Sequence, residues 1–463
     1  MNLVHVIPKL SPGGPTRSLT VFVEWSTRKI PKFSHRILAL EPGGYPFLAF
    51  RLRRCGAVIH HNPDDAALEE ILTGSDVVLM HFWNTPRIWR VIARRTLPVR
   101  SVIWAKVRGE HLPQRLNGDL LRSAAGVALT AKAPAHLLPD FEDAPIVPGL
   151  VQSDRVSGVV RRAHEGFHID YVGTLNSGKL DINIFSILSK LTIPGVKARL
   201  VGGELDQEMA QARAAMSDPS RVEIGSFTEN IAEVFATTDV FAYPVVKSSY
   251  ASSDLALQEA MLAGLPVVVY EGRGASHFVE DMKTGLVVAN SEGFVAAIER
   301  LYRDPALQSR LGAAAKTYAE TEFCSEKHVT RLAALIEHAA AAAKQPLFIQ
   351  GAGSTALERL APSALFLVSQ GWPEDAAADA VNAWLACGDD RLSEFAEMAS
   401  DACYKVEGGI VHWRNHAPDD PVLRAWSGYW LLRLGRDQEA RSEFEAAIYH
   451  GVPASGIARL ANR

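Results

Sequence analysis

The segment from Ser252 to Pro266, SSDLALQEAMLAGLP, carries the most chemically informative residues of the chain. Asp254 stands at the start of a short helical pattern, Ser253 is predicted as its N-cap, and Gly264 predicts its end. Glu259 lies inside the same pattern, among leucine, alanine and methionine residues. A carboxylate in a buried helix needs an internal partner or a ligand, and the two hydroxyls of a ribose would satisfy it.

Two glycine-containing turns follow predicted strands and could approach a phosphate. Gly13 and Gly14 come after the first apolar run and precede a helical pattern, whose N-terminus attracts anions. Gly173 follows a later strand, and Lys179 ends that turn, where an ammonium group suits a diphosphate. Neither turn is a P-loop or a dinucleotide fingerprint. Taken alone, each is also compatible with a tight connection or a surface loop.

The elements that position these turns alternate between short β-branched runs and helical patterns. This alternation predicts a parallel sheet built from βαβ units. It occurs twice, which predicts two Rossmann-like domains in tandem with a cleft between them. The predicted strands are Val4–Ile7, Ile37–Leu40, Val77–Met80 and Val99–Trp104 in the first half, and His168–Val172, Lys197–Val201, Val222–Ile224, Val240–Tyr243, Pro266–Val269 and Leu286–Val288 in the second.

Two breaks in this pattern predict three domains. A polar stretch without helical period follows Pro148, and a turn-rich stretch, QPLFIQGAGST, starts at Gln345. We therefore predict an N-terminal Rossmann-like domain over 1–150, a second Rossmann-like domain over 151–345 and a helical module over 346–463.

The helical module contains a repeat-like spacing of small and aromatic residues. The residues with this spacing are Gly428, Gly435, Ala440, Phe444 and Ala447. Small residues let two antiparallel helices approach closely, as in a tetratricopeptide unit, and residues 362–403 are compatible with one or two degenerate units. A generic helical hairpin is the alternative. Because the module lacks a catalytic motif, we expect it to bind a partner or to pack against the other domains.

The composition indicates a globular protein of the reducing cytosol. Hydrophobic residues make up 48% of the 463 residues and charged residues 22%. Four isolated cysteines argue against a zinc site or a disulfide framework: Cys55, Cys324, Cys387 and Cys403. The first apolar run is too short for a signal peptide, and apolar stretches stay well below about 18 residues, so we expect no membrane span.

Charge is concentrated in the first 150 residues, which contain 19 Lys and Arg against 12 Asp and Glu. This excess predicts an anionic partner for the first domain, although an unevenly charged solvated surface is the alternative. Between Arg87 and Arg108 basic residues alternate with Trp89, Val91 and Ile92. Such a run fits an anionic membrane or a polyanionic acceptor, whereas the lack of a nucleic-acid motif argues against nucleic acid.

The order of the motifs resembles the large retaining family of GT-B glycosyltransferases often called family 4. The motifs that carry the resemblance are the Gly13-Gly14 turn, the Gly173 to Lys179 turn, Gly202-Gly203, the E-A-M-x-A-G-x-P helix from Glu259 to Pro266, and Asp281 with Thr284-Gly285-Leu286-Val287-Val288. The resemblance covers residues 1 to about 340 and implies the fold class: α/β, GT-B, with two Rossmann-like domains facing a cleft. The helical, tetratricopeptide-like module is an addition to that fold.

The resemblance also implies roles for the domains. In such enzymes the N-terminal domain holds the acceptor and the second domain holds the nucleotide-sugar donor. The Gly13-Gly14 turn lies near the donor phosphates, Lys179 binds the diphosphate and Glu259 binds the ribose hydroxyls. Transfer proceeds with retention and without a metal or another cofactor, because basic side chains and helix N-termini stabilise the departing diphosphate.

The chain departs from the family pattern at three donor-pocket positions. Ala251 stands where the family has a sugar-contacting glutamate, Thr174 where it has a basic residue, and His277 where it has another glutamate. Asp254 or Ser252 could contact the sugar instead, and His277 or Lys247 could supply positive charge. Family members often have a histidine near the sugar and the acceptor, and the resemblance carries this position over to His111, which follows a predicted strand of the first domain. The predicted catalytic residues are His111 and Asp254, and the predicted donor-binding residues are Gly13, Gly14, Gly173, Thr174, Lys179, Ser252, Ser253, Glu259 and His277, with no metal ligands.

Three functions are compatible with these residues. The first is a cytoplasmic, retaining glycosyltransferase that builds a cell-surface polysaccharide or glycoconjugate on a glycan, lipid or protein acceptor. This enzyme could lie peripherally at the inner face of the membrane. The second is a catalytically impaired GT-B scaffold that acts as a binding module. The third is a glycosyltransferase that modifies a protein docked on the helical module.

Overall fold

The computed structural model describes residues 1–94, 97–132, 136–247, 249–272, 274–348, 357–387 and 407–461. The chain divides into two compact units. The first unit comprises Met1–Pro12, Val23–Val147 and Arg331–Arg463, and the second comprises Gly13–Phe22 and Pro148–Thr330. The domain boundaries expected after residues 150 and 345 stay predictions.

The first unit is built on a six-stranded parallel sheet. Its strands are β1 (Asn2–Ile7), β2 (Ser34–Ala39), β3 (Val58–His61), β4 (Val77–Phe82), β6 (Ser101–Ala105) and β7 (Gly126–Ala128). The short strand β5 (Pro98–Val99) is not part of this sheet. The order β3-β2-β1-β4-β6-β7 reverses between β1 and β4, which is where doubly wound sheets bind ligands at their carboxyl edge. Every residue of β4 and β6 is buried, as expected for strands covered on both faces.

Helices flank this sheet. They are α1 (Gly14–Lys29), of which the residues from Val23 onward belong to this unit, α2 (Pro46–Arg54), α3 (Asp65–Thr73), α4 (Pro86–Ile92) and α5 (Gly118–Ser123). Helix α4 contains Arg87 and Arg90, the first residues of the basic run that the sequence suggests for a membrane. Its apolar residues Trp89, Val91 and Ile92 are buried, and Arg90 and Arg94 both pair with Asp65. An apolar membrane-binding face on α4 was therefore a wrong expectation, because the unit uses that face for its own core.

The second unit contains a second six-stranded parallel sheet, in the order β10-β9-β8-β11-β12-β13. Its strands are β8 (Phe167–Val172), β9 (Val196–Val201), β10 (Val222–Gly225), β11 (Val240–Tyr243), β12 (Val267–Tyr270) and β13 (Leu286–Val288). Its helices are α6 (Ile184–Lys190), α7 (Gln207–Ala214), α8 (Ile231–Phe235), α9 (Leu255–Leu262), α10 (Ser291–Arg303) and α11 (Pro305–Glu322). Helix α12 (Ser325–Ala340) begins in this unit, and its residues from Arg331 onward belong to the first unit. Residues 345–346, which belong to the first unit, form β14 and pair with β5 of the same unit.

The C-terminal region is helical, as predicted. Its described helices are α13 (Pro362–Ser369), α14 (Glu374–Cys387), α15 (Ile410–His416), α16 (Pro421–Arg433), α17 (Asp437–Tyr449) and α18 (Ala454–Ala461). Residues 388–406 lie outside the described residues, and with them Cys403 and a large part of the degenerate units suggested for 362–403. A tetratricopeptide relationship therefore stays a prediction.

Helices α16 and α17 pack closely through the small residues that the sequence singles out. A Cβ atom on Gly428 would lie 2.6 Å from the ring of Phe444, and Ala440 and Ala447 are fully buried. Gly435 has a φ of +70° in the turn between the two helices, a backbone conformation that glycine adopts without strain. The spacing of small and aromatic residues in the sequence therefore indicates a closely packed pair of helices.

The helical region packs on loops that follow strands of the first sheet. After β4, Asn84 Nδ2 donates to the Ser369 carbonyl at 3.3 Å. After β6, Asn117 Nδ2 donates to the Val368 carbonyl at 3.0 Å. After β1, Lys9 Nζ lies 3.0 Å from Glu407 Oε1. The helical region therefore contacts the carboxyl edge of the first sheet. Packing against another part of the chain was one of the two roles expected for it, the other being the binding of a partner.

Candidate functional site

Two glycine turns meet at the carboxyl edge of the second sheet. Gly173 follows β8 with a φ of +151°, and a Cβ atom there would lie 2.7 Å from the Tyr171 hydroxyl. Gly202 follows the neighbouring strand β9, and a Cβ atom there would lie 1.8 Å from the Gly173 carbonyl oxygen. Only glycine fits both positions, so the two turns come together and bring backbone to the end of the sheet.

Lys179 ends the first of these turns and lies at the same edge. Its amide donates to the Asn176 carbonyl at 3.0 Å, and its Nζ is 5.8 Å from the centroid of the Tyr243 ring. Burial lowers the pKa of Lys179, and the nearby carboxylate of Asp254 opposes that shift. The side chain is therefore a partly desolvated amine beside one carboxylate, which suits the binding of an anionic group.

Asp254 is a buried carboxylate with one oxygen left available. The Tyr243 hydroxyl donates to its Oδ1 at 2.7 Å, while Oδ2 is buried and has no hydrogen-bond partner among the described residues. The residue is 4% exposed and has a left-handed φ of 40°, which is uncommon for a residue other than glycine. Strain and an unpaired acceptor at one residue are features of functional sites.

Asp254, and not Ser253, is the N-cap residue of α9, although its side chain makes no capping hydrogen bond. The expectation for Ser253 was wrong because Asp254 leaves the helical region before the first turn and points its carboxylate at Tyr243 instead. The predicted helix end is confirmed, since Gly264 follows the C-cap residue with a φ of +76°.

Glu259 has an internal partner. It is 3% exposed, and Arg155 Nη1 donates to its Oε1. Burial raises the pKa of Glu259, and the charges of Arg155 and Arg17 oppose that rise. Glu229 accepts from Arg17 Nη2 at 2.7 Å and lies 3.9 Å from Arg155 Nε, so the two arginines and two glutamates form one ionic cluster, in which Glu229 is partly exposed.

The Gly13-Gly14 turn belongs to the same unit as this cluster. Gly14 begins α1, and a Cβ atom on it would lie 3.4 Å from Leu255 Cδ1, at the start of α9. One turn further along α1, Arg17 Nη1 donates to Gln152 Oε1 at 2.7 Å. The beginnings of α1 and α9 are therefore close to each other.

The other predicted donor-binding residues lie around these helix starts with differing exposure. Ser252 is buried, and Ser253 packs against Gly149, where an added Cβ atom would come within 2.5 Å. Thr174 is exposed in the turn after β8. His277 is exposed in the short 3-10 helix Gly274–Phe278, which follows β12.

The predicted catalytic His111 lies in the first unit. Its ring is 41% exposed, and Nε2 is 3.9 Å from Glu110 Oε2, which also accepts from Arg108 through its other oxygen. His111 is therefore an exposed side chain beside Glu110, and its catalytic role stays a prediction.

His81 is part of a buried imidazole chain in the first sheet. Its Nε2 is 3.2 Å from His5 Nδ1, and His5 Nε2 is 2.9 Å from His35 Nδ1. Burial lowers the pKa of His81 and His5 well below the usual range and that of His35 to about 4, so the rings are neutral. Lys106 lies beside the chain, and its pKa is also lowered by burial.

A group of metal-ligating residue types lies where the helical region meets the first sheet. Ligand atoms of Glu41, His412 and His416 lie within 4.8 Å of one another among the described residues. The Gly408 amide donates to His412 Nδ1 at 2.8 Å, so the ring proton of the neutral His412 is on Nε2. His412 therefore offers no free lone pair to an ion, and the trio lacks a complete ligand set.

Sequence analysis missed three residues of the site in the second unit. Tyr243 was only the end of a predicted strand, Arg155 was in a predicted linker, and Arg17 was in a predicted helix. The one usable signal was the need of Glu259 for a partner, and Arg155 is 104 residues away from it in sequence.

The second unit carries the match to a known family. Residues 167–304 match the family described as glycosyl transferases group 1. Lipopolysaccharide core biosynthesis glycosyltransferase LpsE from Rhizobium meliloti (strain 1021) is 30% identical over 122 residues, which are 26% of this chain and 35% of that protein. The chain thus spans about a third of the length of this curated relative.

Solved structures with a similar fold cover nearly three quarters of the chain. HepE from Anabaena, solved in complex with UDP-glucose, matches with a TM-score of 0.58 and 17% identity over 73% of this chain and 99% of that chain. WaaG, a glycosyltransferase involved in lipopolysaccharide biosynthesis, matches with a TM-score of 0.54 and 15% identity over 72% and 99%. At such identities the likeness shows the fold. The chain therefore has the GT-B fold, with a helical C-terminal region, and residues 167–304 of its second unit match the glycosyl transferases group 1 family.

Proposed function

We propose that the protein is a glycosyltransferase that takes a sugar from a nucleotide donor held by its second unit and transfers it with retention of configuration. The acceptor is a glycan, lipid-linked or protein hydroxyl in the synthesis of a cell-surface polysaccharide or glycoconjugate. The observation that carries the proposal is that Lys179 and Asp254 both lie against Tyr243 at the carboxyl edge of the second sheet, where Asp254 has one buried oxygen without a hydrogen-bond partner among the described residues. The family match over the same residues and the UDP-glucose bound by HepE support it.

Each side chain has a distinct task in this proposal. Lys179 holds the donor diphosphate, aided by the backbone amides of the Gly173 turn and by the helix start at Gly14. Glu259, oriented by Arg155, accepts hydrogen bonds from the ribose. The free oxygen of Asp254 faces the transferred sugar, where it accepts from a hydroxyl and stabilises the positive charge that develops on the ring.

Asp254 also supplies a carboxylate close to Ala251, the position where the family has a sugar-contacting glutamate. The two positions are three residues apart, and Asp254 brings a carboxylate to the start of α9 through its unusual backbone conformation. Arg17 and Arg155 supply buried positive charge in the same unit, where the family's basic residue is replaced by the exposed Thr174. The substitutions are therefore compatible with an active site of altered composition.

Replacing Lys179 by Ala should weaken binding of the nucleotide donor by about 10- to 100-fold, because one charge-assisted contact to the diphosphate is lost. The donor is first found by thermal shift with UDP-, GDP-, ADP- and TDP-sugars, since a ligand at about 100 times its Kd stabilises by about 2.7 kcal/mol. Isothermal titration then compares the variants. Lys197→Ala, an exposed lysine on β9, is the control and should bind like the wild type. Equal affinity of Lys179→Ala and Lys197→Ala would refute the assignment.

We further propose that transfer needs no divalent metal, because lysine and arginine side chains and helix starts carry the positive charge that the departing diphosphate requires. Dialysis against EDTA should leave the initial rate of transfer unchanged. A loss of activity that Mn²⁺ or Mg²⁺ restores would contradict this expectation.

A second candidate function is a nucleotide-sugar-binding scaffold without transfer. The ion pair between Arg155 and Glu259 favours it, because it already occupies the carboxylate proposed for the ribose. Donor-induced stabilisation without hydrolysis or transfer of the donor would support this candidate over the enzyme. A third proposal is that a protein acceptor docks on the helical region. This region packs on the first unit, which would hold the acceptor in the proposed enzyme.

A further inference from the structure

Helix α2 of the first unit turns two aromatic rings toward solvent. Phe47 is 43% exposed and Phe50 is 58% exposed, three residues apart on one side of the helix. The opposite side is the one that packs on the sheet, where Leu48 and Leu52 are fully buried. Helix α2 is therefore already anchored by one apolar face, and its exposed rings are an additional apolar surface that folding does not explain.

The same helix is basic and contains no acidic residue. Its sequence, PFLAFRLRR, ends in three arginines, of which Arg53 and Arg54 are exposed. The Arg54 guanidinium is 5.8 Å from the centroid of the Phe50 ring, so charge and aromatic surface are adjacent. Arg51 is engaged by the bidentate pair with Glu24 at 2.6 and 2.8 Å.

Positive charge extends beyond the helix. Residues 24–58 contain seven Lys or Arg residues and two Glu residues. Burial and the charge of Glu24 raise the pKa of the Cys55 thiol, whereas the charges of Arg28, Arg51 and Arg54 lower it. These three arginines therefore lie near Cys55, the residue that follows helix α2, together with Glu24. Residues 1–150 as a whole carry 19 basic and 12 acidic side chains.

We propose that this α2 face, formed by Pro46, Phe47, Phe50, Arg53 and Arg54, docks the protein on an anionic lipid bilayer. Exposed rings on a basic helix enter the boundary between headgroups and acyl chains, while the guanidinium groups bind lipid phosphates. Charge complementarity selects this occupant, because anionic headgroups match the local excess of positive charge. The rings alone are too small a patch for a protein interface, which needs about 800 Å² per partner.

The proposal moves the expected membrane contact from α4 to α2 and does not depend on the transferase activity. No helix in the described part of the chain is long and apolar enough to cross a bilayer. Attachment through α2 is then peripheral, reversible and sensitive to salt.

Co-sedimentation of the full-length protein with vesicles tests the proposal. We expect the protein to pellet with vesicles of phosphatidylcholine and phosphatidylglycerol, to pellet far less with phosphatidylcholine alone, and to be released by raised salt. The Phe47→Ser/Phe50→Ser variant should bind the anionic vesicles about tenfold or more weakly, because its apolar insertion is lost. The Arg53→Glu/Arg54→Glu variant should lose at least about tenfold and its salt dependence should diminish.

Helix α17 offers a matched control, because it also carries an exposed aromatic residue and an exposed arginine. Tyr449 is 86% exposed, and Arg441 is exposed on the same helix. The Arg441→Glu/Tyr449→Ser variant should bind anionic vesicles like the wild type. Circular dichroism and thermal unfolding establish that each variant is folded. The proposal is overturned if the wild type fails to bind anionic vesicles, or if the α2 variants bind them as well as the α17 variant does.

Discussion

Replacing Asp254 by Asn is expected to lower kcat for sugar transfer by about 10²- to 10³-fold while the affinity for the nucleotide donor changes little. Asn is the conservative choice, because it tolerates the left-handed backbone at this position and can keep the hydrogen bond from the Tyr243 hydroxyl. The substitution therefore removes mainly the charge and the available acceptor oxygen. Steady-state transfer rates and donor titration calorimetry measure the two effects separately.

Two further variants make this expectation specific. Asp218→Asn changes an exposed aspartate of the same unit and should keep the wild-type rate. Tyr243→Phe leaves Asp254 without its hydroxyl donor, so the carboxylate is less well oriented and kcat should fall by about tenfold. The free energy of unfolding of Asp254→Asn should stay within about 1 kcal/mol of the wild type. A folded Asp254→Asn protein with full activity would remove Asp254 from the mechanism.

The sheets could be predicted from sequence because their central strands are buried on both faces. Val77–Met80 was predicted and β4 runs from Val77 to Phe82, while β11 was predicted with its observed bounds. The strands that escaped prediction are short and at the edges: Val58–His61 and Gly126–Ala128. An edge strand such as β3, with a half-exposed sequence VIHH, lacks the continuous apolar run on which the prediction depends.

The candidate site could be predicted only where a residue's neighbours in sequence fix its place. Gly173 and Lys179 share one turn, and the helix that carries Glu259 has its own start and stop signals. The partners of the two carboxylates could not be predicted, because Tyr243 and Arg155 reach them through the tertiary structure. The left-handed backbone of Asp254 could not be predicted either, because it depends on the packing of α9 and not on the local sequence. The local sequence favoured Ser253 as the N-cap residue.

Replacing Arg155 by Met is expected to destabilise the protein by about 3–5 kcal/mol near neutral pH, because it leaves a buried carboxylate without its counter-ion. The side chains of Arg155 and Glu259 are 10% and 4% exposed, so water cannot take the place of the guanidinium. Met keeps much of the apolar volume of the arginine stem. Urea unfolding at equilibrium measures the free energy of unfolding.

The pH dependence identifies Glu259 as the source of this loss. Burial raises the pKa of Glu259 in the folded protein, and the positive charge of Arg155 opposes that rise. Without Arg155 the pKa of Glu259 in the folded protein rises further above its pKa in the unfolded chain. The folded variant then binds a proton that the unfolded chain releases, so its stability falls as pH increases through that range. Relative to the wild type, Arg155→Met should lose more stability at about pH 8 than at about pH 5, where a neutral Glu259 needs no counter-ion.

A double variant separates the ionic effect from the loss of the arginine itself. Arg155 Nη2 also donates to the Thr228 carbonyl at 3.3 Å, a contact that every Arg155→Met protein lacks. In Arg155→Met/Glu259→Gln the uncharged amide at 259 removes the unpaired charge. The double variant should therefore be more stable than Arg155→Met alone at about pH 8, and it should lack the additional loss of stability that Arg155→Met shows between about pH 5 and pH 8. If Arg155→Met is instead as stable as the wild type at about pH 8, the ion pair is open to water and Glu259 is not the buried carboxylate that the donor site requires.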